Sequence, residues 1–396
     1  MPPGIVMAGP GAPGEAVLRW SSRATSVGGV EAELQRIWAS LDLTVAGEGT
    51  PERRVAARSS VMNLVVVAAR SESAERAAAI VGMLTGRHPS RTIIVSRADP
   101  DGPPWLEARV QAHCIMPMPD APETCAELVA LTAGGESGAH LATIVAPLLV
   151  HDLPVTLWWA GEPRPTDPRT RELLDLADRL VVDGSSWRDD GLDRLVEVAA
   201  TGGGRPLAVA DFALLRQSRW REAIASSFDR PLLLPYLAGL RSITIRYAAH
   251  TSAARATNVV RPLYHAAWLA SRLGFGVERP IATLPGEWAG YDGRLRSGRR
   301  SIPVALRPVE SPAGAGSTLA VELEAERHGT SLMVAVTGGA EAVHVRAVVA
   351  GETLPERVFL APRRTEVELL AEVLEAVGTD RVSRDALAMA ARMITG

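Results

Sequence analysis

The sequence predicts an α/β layered domain with a mostly parallel sheet, followed by a smaller α+β domain with an antiparallel sheet. Two observations carry this reading. Up to about residue 235, short apolar runs alternate with segments of helical period, and such crossovers favour neighbouring parallel strands. After residue 300, four alternating segments follow one another with no helix between them, the grammar of an antiparallel meander with one wet face. The implied division is a tail over 1–27, an α/β domain over 28–235 and an α+β domain over 236–396. At 396 residues the chain exceeds the usual size of one domain.

Each element has its own local reason. The opening MPPGIVMAGPGAPGEAVLRW is a Gly/Pro tail without the charged and apolar regions of a signal peptide. Val30, Leu34, Ile37, Trp38 and Leu41 fall at helical spacing and predict a helix over 29–41. Strand 61–69, helix 73–86 and strand 91–96 form a β-α-β unit. Segments 109–116 and 125–131 read as antiparallel strands joined by the Pro- and Asp-containing loop 117–122. Helix 139–150, strand 154–159, helix 169–177, strand 179–183, helix 188–200 and strand 206–210 continue the alternation. Helix 211–228 follows, with Asp211 as its N-cap. Strand 241–247 and helix 255–272 precede a Gly/Arg-rich loop (286–300). Strands 301–308, 318–327, 331–336 and 342–349, then helices 365–377 and 383–394, complete the chain.

Leu141–Gly161, LATIVAPLLVHDLPVTLWWAG, is apolar enough to suggest a membrane span. Pro147, His151, Asp152 and Pro154 in its middle exclude one, because hydrocarbon satisfies none of them. The segment instead reads as a helix, a turn at Asp152-Leu153-Pro154 and a buried strand. Pro154 should begin that strand, and Asp152 should meet a donor such as a backbone N–H or Arg91. Successive strand side chains alternate faces, so Trp158 and Trp159 cannot share one core. One of the pair is expected at a second layer or a partner.

Composition narrows the chemistry. Net charge is −3, without the clustered cations that nucleic acid demands. All 42 basic residues are arginine, which excludes a Schiff-base or Walker lysine. Gly47-Glu-Gly49 and Gly274-Phe-Gly276 fail the dinucleotide fingerprint, the first for want of a third glycine and the second because it ends a helix. No catalytic motif, cofactor site or complete metal-ligand set emerges, and His113, Cys114 and Cys125 offer zinc three ligands at most. Cys114 and Cys125 approach cross-strand positions. They read as small buried hydrophobes or, less favoured, a thiol switch; a structural disulfide is not expected in a chain placed in the cytoplasm. Ser90 and Arg91 could hold an anion, but a structural ion pair to Asp152 or Asp183 is the preferred reading. Trp220 shares a helical stripe with Ile224 and Phe228, while Arg216, Arg219 and Arg221 could dress an interface.

Six segments in order also carry a resemblance: Asn63-Leu-Val-Val-Val, His88-Pro-Ser-Arg-Thr-Ile-Ile-Val, His151-Asp-Leu-Pro-Val-Thr-Leu-Trp-Trp-Ala-Gly161, Asp178-Arg-Leu-Val-Val-Asp183, Asp211–Asp229 and Trp268–Phe275. Spanning about residues 60–275, they resemble the OpcA family of glucose-6-phosphate dehydrogenase assembly proteins. The resemblance implies a non-catalytic partner of that dehydrogenase, an activator favouring its active oligomer, in the oxidative pentose phosphate pathway. Trp158, Trp159, Arg216, Arg219, Trp220 and Arg221 are the interface candidates. The cysteines that cyanobacterial members carry toward the C-terminus are missing, since residues 126–396 contain none. The alternative reading is a sugar-phosphate-binding protein or enzyme with a strand-end site around Arg91, His151 and Asp152.

Overall fold

Runs of β-branched residues build the first sheet. MNLVVVA over Met62–Ala68 and SRTIIVSR over Ser90–Arg97 are buried at nearly every position, which a strand sustains only when both faces are covered. The computed structural model describes residues 4–5, 16–40, 57–58, 60–116, 124–202, 207–250, 257–286, 288, 290–376, 378 and 380–396. Loop 117–122 and most of the expected N-terminal tail lie outside the described residues. Two compact units emerge. One comprises Met1–Val182, Arg205–Ala208 and Glu366–Val377, the other Asp183–Gly204, Val209–Thr365 and Gly378–Gly396. The sequence reading divided the chain at 235, whereas 183–204 and 209–235 pack within the second unit.

In the first unit the strands are β1 (Gly4–Ile5), β2 (Ala16–Ala24), β3 (Ala57–Arg58), β4 (Met62–Ala68), β5 (Ser90–Arg97), β6 (Trp105–Ile115), β7 (Thr124–Gly134), β8 (Val155–Ala160) and β9 (Arg179–Val182). Their spatial order is β1-β2-β6-β7-β5-β4-β8-β9, with β3 beside β7. Strands β7, β5, β4, β8 and β9 run parallel, and β6 and β2 extend the sheet antiparallel. Strand β2 falls where the sequence suggested only a tail; Trp20, buried, supplies its apolar anchor. Helix Ser71–Leu84 packs on β4 and β5 through Ala77, Ile80, Val81 and Leu84. Helix Glu366–Glu375 packs against that helix, with ion pairs Arg76–Glu366 and Arg87–Glu375.

Strand β10 (Ala208–Asp211) follows β9 as the last strand in the order of the first sheet. It runs into Asp211, whose carboxylate caps helix Phe212–Leu215 by accepting the Ala213 N–H at 2.8 Å. The single helix expected over 211–228 is two, because Gln217 leaves helical geometry before Ser218–Phe228. The antiparallel sheet comprises β11 (Leu240–Ala249), β12 (Gly276–Thr283), β13 (Tyr291–Ser297), β14 (Arg300–Glu310), β15 (Thr318–Arg327), β16 (Thr330–Gly338), β17 (Ala342–Val349), β18 (Glu352–Thr353) and β19 (Arg357–Leu360). Its order is β12-β13-β14-β11-β15-β16-β17-β18, with β19 beside β17, and only β11 with β14 is parallel among these pairs. Burial alternates along β15, β16 and β17, as one covered face requires. Helix Val260–Leu273 packs on β11, β14 and β15, and Ser218–Phe228 on β16, β17 and β19. Gly274, at φ 67, ends the former helix in the left-handed conformation that glycine adopts without strain.

Strand β13 occupies what composition presented as a Gly/Arg-rich loop. Tyr291, Gly293 and Leu295 are buried while Arg294 and Arg296 are exposed, so the period of two is present but its apolar face contains a glycine.

Candidate functional site

The turn after the apolar run is set by a residue that the sequence reading quoted in a motif but gave no role. Asn63, fully buried on β4, donates through Nδ2 to the carbonyls of Val150 at 3.0 Å and Leu153 at 3.3 Å. Its Oδ1 accepts the Val150 N–H at 2.8 Å. The helix Leu141–Val145 tightens to a 3-10 turn over Ala146–Leu148, and β8 starts at Val155, one residue beyond the expected Pro154. Asp178 then accepts the Val155 N–H at 2.9 Å.

Several first-unit candidates prove to have structural surroundings. Arg91 is buried, donates through Nε to Glu127 on the adjacent strand, and through Nη1 to the Leu148 carbonyl at 2.9 Å. Trp38 Nε1 donates to the other Glu127 oxygen. The ion pair is thus with Glu127, not with Asp152 or Asp183, because the parallel register sets Arg91 opposite Glu127. Ser90 is buried and hydrogen-bonded to Thr92 at 3.0 Å. His151 and Asp152 are exposed. Asp152 adopts φ 64 in the turn and meets no donor among the described residues, which corrects the expected link to Arg91. Its tolerance of left-handed backbone, unusual outside glycine, accounts for an aspartate there.

Trp158 is 2% exposed and belongs to the core, so it is withdrawn as an interface residue; Trp159, on the opposite face, is half-buried. Cys114 and Cys125 are directly opposed in the β6–β7 register, Cα atoms 4.0 Å apart, and form a disulfide. The expected cytoplasmic placement had argued against one; register decides the matter.

The second unit contains a cavity of about 830 Å³. Helix Ser218–Phe228 contributes Arg219 and Trp220 to its wall, and Arg216 precedes them. Arg261 enters from helix Val260–Leu273, and Arg363 and Arg364 from the segment after β19. Arg216 Nη1 donates at 2.8 Å to both oxygens of Asp183. Arg219 pairs with Glu222 at 2.8 Å, and Arg221 reaches the Leu214 carbonyl at 2.5 Å. Burial, then Arg216, lowers the pKa of Arg261; Asp183 opposes and Arg363 adds to the fall. The sequence had marked Arg216, Arg219 and Trp220 but not Arg261, Arg363 or Arg364, which lie 40 to 150 positions away and meet the others only through the fold.

Behind this wall sit two sealed ionisable groups. Asp211 accepts the Gly184 N–H at 2.8 Å, the Ala213 N–H at 2.8 Å and the Tyr264 hydroxyl at 2.9 Å. Burial, then the neighbouring Asp183, nevertheless pushes its carboxyl up to about 7 against those three donors. His265 packs against Trp220, ring centroids 5.4 Å apart, and neither ring nitrogen has a partner among the described residues. Burial, with Arg221 and Arg261 nearby, pushes its pKa down to about 3.

Residues 81–199 match the glucose-6-phosphate dehydrogenase subunit N-terminal domain, and residues 207–387 match the C-terminal domain of that subunit. The chain belongs to the OpcA family. Its likeness extends to the OxPP cycle protein OpcA of Synechocystis sp., 26% identical over 169 residues, which covers 42% of this chain and 34% of that protein. The OxPP cycle protein OpcA of Synechococcus elongatus is 25% identical over 204 residues, covering 50% and 43% respectively. The chain therefore spans less than half the length of either family relative. Among solved structures it is similar to KijD10, a 3-ketoreductase from Actinomadura kijaniata, with TM-score 0.45 and 12% identity over 84% of this chain and 96% of that one. That likeness is too distant to carry an argument. No helix among the described residues is long and apolar enough to cross a membrane.

Proposed function

We propose that this chain is a non-catalytic assembly factor that binds glucose-6-phosphate dehydrogenase in the cytoplasm and acts as its allosteric activator, promoting the active oligomer. One observation carries the reading: the two dehydrogenase-subunit family models match in tandem and in order, over 81–199 and 207–387. The relatives' designation as OxPP cycle proteins supports a place in the oxidative pentose phosphate pathway. A partner activates by binding the active state more tightly than the inactive one, and no chemistry of its own is needed. The strand-end sugar-phosphate reading has lost its cation, since Arg91 is committed to Glu127 and the Leu148 carbonyl.

The test is co-elution and kinetics with the dehydrogenase of the same organism. The chain should co-elute with it, raise its activity at limiting substrate, and alone oxidise no glucose 6-phosphate. Absence of both complex and activation, or turnover by the chain by itself, would overturn the proposal. Trp159, half-buried on the face opposite Trp158, supplies a finer probe. At an interface hot spot, Trp159→Ala weakens binding by about 2 kcal/mol or more; unchanged binding removes Trp159 from the interface.

A further inference from the structure

Five arginines converge on the second-unit cavity. Arg216, Arg219, Arg261, Arg363 and Arg364 line it together with Trp220, and among the described residues none of the lining is acidic. Asp183 engages Arg216 and Glu222 engages Arg219. Arg261 forms no salt bridge among the described residues; burial, Arg216 and Arg363 oppose its charge, and Asp183, already paired with Arg216, supports it from nearby. A desolvated cation in that position gains when an anion arrives.

The remaining wall is shaped for close approach. Gly338 ends β16, and a Cβ there would stand 2.8 Å from Trp220 Cζ2, so glycine admits the indole along the strand end. Thr318, also lining the cavity, has a buried hydroxyl without a hydrogen-bond partner among the described residues. The volume of about 830 Å³ falls in the range of small-molecule sites, about 300–1,000 Å³.

We propose that this cavity binds a phosphorylated small metabolite, its phosphoryl group held by Arg261 and Arg363 and its ring laid against Trp220. Guanidinium forks match phosphate oxygens two at a time. A phosphate monoester brings a charge of about −1.5 to −2 and three acceptor oxygens, which suits converging arginines better than the single charge of a carboxylate from an acidic protein segment. The half-buried indole gives a sugar ring or nucleobase a flat apolar surface. The proposal stands independently of the dehydrogenase reading.

Calorimetric titration and thermal unfolding of the full chain test it, with inorganic phosphate, glucose 6-phosphate, AMP and a poly-glutamate peptide as probes at fixed ionic strength. Glucose 6-phosphate or AMP should bind at least about tenfold more tightly than inorganic phosphate and raise the melting temperature with concentration. Arg261→Gln and Arg363→Ala should each weaken that binding about tenfold or more. Arg363 is exposed, so Arg363→Ala should melt like the parent without ligand and keeps the test decisive if Arg261→Gln misfolds. No binding of either organic phosphate, or binding undiminished in Arg363→Ala, overturns the proposal. Equal affinity for all three phosphates overturns the ring contact and hence the metabolite assignment. Binding of poly-glutamate alone assigns the cavity to an acidic protein segment, and the proposal fails.

Discussion

Asp211 and His265 are both sealed from water, and their protonation works in opposite directions. Asp211 holds its proton up to about pH 7 in the folded chain against 3.8 for the ordinary group. The stability it contributes is therefore complete below the unfolded value and lost as pH rises through about 7. His265 stays neutral down to about 3 against an ordinary 6.5. Its contribution is present above 6.5 and lost as pH falls toward 3. Between the two ordinary values the slopes oppose one another, each at most about 1.4 kcal/mol per pH unit. Asp211→Asn should leave a chain that loses stability on acidification below 6.5. His265→Leu, which also removes an unpartnered imidazole, should leave one that gains stability as pH falls from 7. Denaturant titrations of both variants across that window check the signs; parallel profiles would refute the account. The first-unit ion pair allows a simpler expectation. Glu127→Gln strips the counterion from buried Arg91, and breaking such a pair from one side costs about 3–5 kcal/mol, read as a lower denaturation midpoint with unchanged slope.

At the scale of elements, β6 and β7 are tied by Cys114–Cys125, at a sequence separation of 11. In the chain-entropy view, a loop of that size is worth about 3 kcal/mol. Replacing both cysteines by alanine should lower stability by about that amount, and the native chain should be two hydrogens lighter by intact mass before reduction than after. An unchanged mass on reduction would remove the disulfide. This bond shows where sequence reading stops: hairpin pairing was visible in the alternation of 109–116 and 125–131, but exact register was not, and compartment arguments pointed the other way. The strands β4, β5 and β8 were visible because two-sided burial writes itself as continuous apolar runs. Strand β13 was hidden because Gly293 occupies one of its buried positions. The Trp pair followed directly from alternation, though only the structure shows that Trp158 takes the core. Trp158→Ala should accordingly cost about 3–5 kcal/mol of stability, while Trp159→Ala should cost clearly less; equal costs measured by denaturation would contradict the burial difference.

For the whole molecule, the family was readable through ordered motifs scattered over some two hundred residues, whereas the arginine cavity was not. Its residues come from two helices, strand ends and the segment after β19, and no local period links them. The proposed activation nevertheless carries a consequence that needs no knowledge of the docking surface. If the chain shifts the dehydrogenase toward a state that binds substrate more tightly, substrate must tighten the chain's own binding by the same factor, because the two equilibria share one coupling free energy. A tenfold effect corresponds to about 1.4 kcal/mol. The measurement is a pair of dissociation constants for the chain and the dehydrogenase, with and without saturating glucose 6-phosphate, set beside the substrate's own constant with and without the chain. The two ratios should agree. Glucose 6-phosphate held in the arginine cavity would disturb that equality, so the comparison is repeated with Arg363→Ala, in which the proposed cavity site is weakened. If the ratios agree only in that variant, both sites operate. If the chain raises turnover while its affinity ignores substrate in either form, activation does not proceed through a shift between substrate-binding states.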